Sequence, residues 1–82
     1  MKPYSHNNNI RTFSKNVNEI DLVWHQDKED RKIKVLEGKG WKFQKDNELP
    51  LELKKGDRIF IAEGEIHRVI KGTTDLKIKI NG

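Results

Sequence analysis

The sequence predicts an all-β domain of seven or eight short strands, and three observations carry that prediction. Apolar residues come in short runs or alternate with polar ones, as in strands with one face inward. Turn residues punctuate the chain at roughly 8–10 residue spacing, the rhythm of a sandwich or barrel. No apolar stripe at helical spacing persists for even three turns, so helix is nearly absent.

Taken in order, residues 1–19 are the poorest in apolar side chains, holding only Met1, Tyr4, Ile10, Phe13 and Val17. With Asn7-Asn8-Asn9 in their midst they read as a weakly tethered N-terminal arm, with an edge strand around Ile10–Phe13. His6 in that arm reads as a surface residue. Residues 20–82 form the single β domain. Ile20–Trp24 is its first apolar run, and Ile33, Val35 and Leu36 make a second, closed by Glu37-Gly38-Lys39-Gly40. Trp41 and Phe43 alternate with Lys42 and Gln44 before an Asp46-Asn47 turn. Leu49, Leu51 and Leu53 alternate around Pro50 and Glu52, then Lys55-Gly56-Asp57 turns the chain. Ile59-Phe60-Ile61 precedes Glu63-Gly64, and Ile66, Val69 and Ile70 precede Lys71-Gly72. Leu76, Ile78 and Ile80 alternate strictly with Lys77 and Lys79.

Composition alone points toward disorder: 33% of the 82 residues are apolar and 37% are charged. Phasing answers this, because a strand with one face inward needs only alternate residues apolar and a closed barrel shares one core. A disulfide scaffold is excluded by the absence of cysteine. The longest apolar run, Ile59–Ala62, is far short of the ~20 residues of a membrane span. Lys2 leads into Pro3 and polar residues without an apolar core, so no secretory signal and a cytoplasmic location are expected. Seventeen Lys+Arg against thirteen Asp+Glu give +4, but the charges are interleaved and lack an Arg-rich or Gly-aromatic motif. Nucleic-acid binding by a basic β-barrel is therefore the least favoured reading.

The segment Gly56-Asp57-Arg58-Ile59-Phe60-Ile61-Ala62-Glu63-Gly64-Glu65-Ile66-His67 resembles the second motif of the cupin superfamily. That motif runs glycine, five residues, Pro-x-Gly, two residues, then a metal-binding histidine. Both glycines and the histidine fall in place, Ala62 stands for the proline and Lys71 for a later asparagine. Upstream, Trp24-His25-Gln26-Asp27 with Val35-Leu36-Glu37-Gly38 is similar to the first motif. His25 takes the first histidine position, Asp27 the second, Arg31 the position of a glutamate, and Glu19 that of an opening glycine. The resemblance covers residues 20–80.

The resemblance implies a small cupin-type double-stranded β-helix, a jelly-roll barrel, with a divalent transition metal (Fe, Mn, Ni or Zn) at its mouth. His25, Asp27 and His67 would be the ligands, and single-domain cupins commonly dimerise, so a homodimer is expected. The chemistry is consistent with this. Residues two apart on a strand share a face, so His25 and Asp27 point the same way. Two imidazoles and a carboxylate suit non-heme Fe(II), and Zn, Mn or Ni accept them too. Each histidine taken alone reads more simply as a polar residue of a half-buried strand, and Asp27 can instead pair with Arg31.

Arg31 has two readings. As a fixed cation where cupins carry a glutamate it opposes a divalent ion, and as a guanidinium beside a pocket it can clamp a carboxylate or phosphate. Trp24, Trp41 and Phe43 read as core, with Trp41 also a candidate apolar wall for a substrate pocket. The sequence thus points to a metal-dependent cupin binding or transforming a small, anionic molecule, an oxygenase, isomerase or lyase if an enzyme. A non-catalytic small-molecule or sugar-binding cupin remains open beside it. No partner membrane is expected.

Overall fold

β8 (Leu76–Asn81) organises the larger of two sheets in the computed structural model, which describes residues 3–81. Leu76, Ile78 and Ile80 point inward and are buried, while Lys77 and Lys79 between them face outward. On one side β8 pairs antiparallel with β2 (Ile10–Phe13), and beyond that lies β1 (Tyr4–Asn7). On the other side it pairs with β3 (Arg31–Glu37), which pairs in turn with β6 (Arg58–Ile61). The smaller sheet is β5 (Leu51–Glu52), β4 (Lys42–Lys45) and β7 (His67–Ile70).

One core lies between the sheets. Phe13, Val35, Ile61, Leu76, Ile78 and Ile80 contribute from the large sheet and Phe43 from the small one, with Trp41 and Leu53 in the flanking loops. The Phe13 and Trp41 rings meet at 5.8 Å between centroids, which joins the two layers. Gly72 packs so tightly on Trp41 that a Cβ there would collide with the Lys39 carbonyl oxygen and the indole ring. The Trp41 indole N–H donates to the Thr74 carbonyl at 2.6 Å.

Three sequence expectations are corrected by this architecture. The strand ladders do not continue from one sheet into the other, so the closed barrel is replaced by an open pair of five and three strands. β7 leaves one edge to a single bridge with His25, too little pairing to close the seam. The Ile20–Trp24 run is not a strand. Asn18 caps a short 3₁₀ turn at Glu19–Asp21, its side chain accepting from the Ile20 N–H at 3.1 Å, and of the run only Leu22 packs on the core. Trp24 lies outside, with the Arg68 guanidinium 4.5 Å over its ring.

The stretch read as an arm supplies two strands. Asn8 and Asn9 have φ of 52° and 67°, the pair of positive values that a two-residue type I′ hairpin turn requires. Asparagine tolerates that conformation better than other side chains, so the Asn run is the turn of the β1–β2 hairpin. β2 then lies inside the sheet and delivers Phe13 to the core.

Leu76 is fully buried at the centre of this arrangement. Leu76→Ala should cost about 2–5 kcal/mol, measured as a lower urea midpoint at unchanged slope.

Candidate metal centre

His67 begins β7, and its position is set by backbone pairing on both sides. Lys45 is its register partner on β4, and His25 pairs with it across the other edge. The His25 N–H donates to the His67 carbonyl at 3.0 Å, and the His67 N–H to the His25 carbonyl at 2.9 Å. Cross-strand partners share a face, so the two imidazoles meet with centroids 4.3 Å apart. Two residues further, Asp27 shares that face and accepts from the Gly64 N–H at 2.9 Å through its carbonyl. Gly64 holds φ +78° in the turn before β7, a conformation that favours glycine at this motif position.

The side chains are oriented from behind. His67 Nδ1 donates to the Glu65 carbonyl at 2.7 Å, and His25 Nδ1 to the Val23 carbonyl at 3.0 Å. A carbonyl only accepts, so in each neutral ring Nδ1 carries the proton and Nε2 presents a lone pair. Backbone support of this kind is what orients metal-ligating histidines. Asp27 Oδ2 lies 3.4 Å from His67 Nε2, and ligand atoms of His25, Asp27 and His67 all fall within 4.8 Å of one another. The cluster can hold a metal ion.

His67 is a buried polar side chain beside the core, 4% exposed, with the Phe43 ring 5.6 Å away. Burial pushes its pKa below the ordinary histidine value and outweighs the Glu65 carbonyl and Asp27, which favour the charged ring. The proximity of His25 adds to the lowering. A neutral ring facing a carboxylate through its lone pair is unfavourable until a cation stands between them. The donor set therefore fits a divalent transition metal, with two nitrogens and one oxygen.

Arg31 stands beside this cluster on β3. Its Nε is 3.8 Å from Asp27 Oδ2 and an Nη is 3.9 Å from Glu29, contacts too long for hydrogen bonds. Asp27 and Arg31 thus form the ion pair the sequence allowed, but loosely and without a hydrogen bond. Arg11, which sequence reasoning passed over, points into the same space from β2. In register it sits opposite Ile78, two residues from buried Phe13 and on the same face. Ile10 and Phe13 cannot both face inward on one strand, and taking Phe13 as the core residue would have brought Arg11 in with it. The Arg11 guanidinium lies 3.9 Å over the Tyr4 ring. Burial lowers its pKa and the nearby Arg31 charge adds to this, against the acidic side chain of Asp27 and the Tyr4 hydroxyl. The Nε atoms of Arg11 and Arg31 are both buried without a hydrogen-bond partner among the described residues. An orphaned buried donor costs about 1–3 kcal/mol.

All five polar side chains line one cavity of about 250 Å³ between the sheets. Phe43, Leu53, Ile61, Val69, Leu76 and Ile80 are among its apolar lining. Trp41, read as a candidate wall, is fully buried in the core and does not line this cavity, because its indole is turned toward Gly72 and Thr74. His6 is exposed on β1, outside the cluster.

Fold and site together define an all-β protein of two antiparallel sheets with a His-His-carboxylate group on the cavity between them. Neither the family models nor the curated proteins compared with the chain give a match.

The lowered pKa of His67 has a stability consequence. Between its ordinary value near ~6.5 and the lower folded value, the unfolded chain binds more protons than the folded one. The contribution is whole above the ordinary value and is lost as pH falls through the folded one. Metal-free protein should melt at a lower temperature at pH 5.5 than at 7.5, and His67→Gln should narrow that gap.

Proposed function

We propose that this chain is a small metal-binding protein of cupin-like jelly-roll type that holds a divalent transition ion on His25, Asp27 and His67. Beside the ion it takes up a small anionic molecule in the cavity. The observation that carries the reading is the paired tether of both Nδ1 atoms to backbone carbonyls, which commits two Nε2 lone pairs and the Asp27 carboxylate to one point. The motif positions of Gly56, Gly64 and His67 support the cupin comparison, and so does the two-sheet architecture.

Three protein ligands leave open positions, where a bound ion supplies Lewis acidity to a polar group of the small molecule. The protein's own residues support this reading. Val23 and Glu65 hold the ring orientations through their carbonyls, and the cavity wall beside the cluster is largely apolar. Arg31 lowers the negative potential that draws in the ion, so affinity is modest for this ligand set. A homodimer is part of the proposal. Leu51 on the edge strand β5 and Phe60 on the edge strand β6 are both exposed, which supports burial of one of these edges against a second copy.

Elemental analysis should find about one equivalent of transition metal after reconstitution with Fe(II), Mn(II), Ni(II) or Zn(II), lost in both His25→Ala and His67→Ala. Wild-type protein that stays metal-free with all four ions would reject the site. Arg31→Glu should tighten metal binding by roughly tenfold or more, since it exchanges a cation for an anion a few Å from the ion. Light scattering should return twice the chain mass.

A further inference from the structure

The large sheet carries two arginines on its inner face, in rows otherwise occupied by core side chains. Arg11 shares the inward face of β2 with Phe13 and lies in register with Ile78. Arg31 shares the inward face of β3 with Ile33 and Val35 and lies in register with Ile61. Inward cations in such a small core call for a partner, and the chain provides little. Among the described residues no acid pairs with Arg11, and Arg31 has only its two loose contacts. Both Nε donors point into protein without an acceptor.

We propose that Arg11 and Arg31 together form the head-group site for a carboxylate whose apolar body lies in the cavity between the sheets. This deepens the reading of the cavity as a ligand pocket and does not depend on the metal.

Three features choose the ligand class. Guanidinium edges match the two oxygens of a carboxylate, each N–H pair meeting an oxygen pair in one plane. Both guanidiniums keep a buried Nε without an acceptor among the described residues, and Asp27 approaches Arg31 only at 3.8 Å, so a carboxylate would supply the acceptors that Asp21 and Asp27 on the same cavity do not. Apart from Asp21, His25 and His67, the rest of the lining is aliphatic or aromatic, with Ile33, Ile59, Ile78 and Val69 around the space, and offers a second phosphate charge or a sugar hydroxyl few polar partners. At about 250 Å³ the cavity falls just below the usual range for ligand pockets, ~300–1,000 Å³, so the acid is short. The Tyr4 ring under the Arg11 guanidinium holds that plane while leaving its edge free.

The test is a titration of chelator-treated protein with hexanoate, its neutral isostere hexanamide, and inorganic phosphate, followed by amide chemical shifts. Hexanoate should bind at least tenfold more tightly than hexanamide and shift the amides of Arg11, Arg31 and Ile78. Arg11→Gln and Arg31→Gln should each weaken hexanoate about tenfold without changing hexanamide, and Arg11→Lys should restore part of the loss. Equal binding of hexanoate and hexanamide to the wild type would overturn the carboxylate site while leaving the pocket intact, a comparison that needs no variant to fold. Phosphate binding more tightly than hexanoate would also overturn it. Failure of hexanoate and hexanamide alike would reject the site and the pocket with it, and metal content measured on the same preparation stands apart from either result.

Discussion

The reciprocal backbone bridge between His25 and His67 is the contact on which the cluster depends. Residues 22–30 have no strand of their own, and this bridge, with the Gly64–Asp27 hydrogen bond, is what lays them along β7. Without it His25 and Asp27 would stand on an irregular loop with no fixed relation to His67. A single bridge supplies only two hydrogen bonds, each worth about 0.5–1.5 kcal/mol net, so the neighbouring contacts matter. Leu22 against the core and the Glu63 N–H donating to Asp30 at 2.8 Å pin the segment on either side.

The core and the cluster draw on the same residues. Phe43 and Val69 face inward beside His67 on the small sheet, and Ile33 and Val35 do so beside Arg31 on the large one. The polar end of the cavity is therefore built by continuing the strand alternation into residues that carry charge. That continuation puts polar groups where core residues would otherwise sit. At those positions Arg11 and Arg31 keep buried Nε atoms without a hydrogen-bond partner among the described residues, a cost that an apolar side chain there would not carry.

Much of this fold is legible in the amino-acid sequence itself. β8 can be read directly because Leu76, Ile78 and Ile80 alternate with Lys77 and Lys79, while in β3 and β6 the apolar Leu36 and Phe60 blur the same period without hiding the strand. The grouping of His25, Asp27 and His67 is legible only through the motif resemblance, because residues 22–30 form no strand whose parity would settle their faces. Contests between equal local signals are a different matter. Leu22-Val23-Trp24 is contiguous and carries no period, so the Asn18 cap wins and the run becomes a turn. Ile10 and Phe13 differ in parity, so the inward face of β2, and with it Arg11, is decided by packing against Trp41. Closure of the sheets is a long-range matter that no local pattern encodes.

The two tryptophans end in opposite environments, one sealed in the core with its N–H on Thr74, the other exposed beside His25 under the Arg68 guanidinium. The protein thus contains two intrinsic fluorophores at separate addresses. Trp41 emits from an apolar shell and reports the integrity of the whole sandwich. Trp24 emits from a wet, cationic neighbourhood and answers to the segment that carries His25 and Asp27. A red-edge signal that changes while the blue component holds steady would be the optical mark of that segment moving with the fold intact.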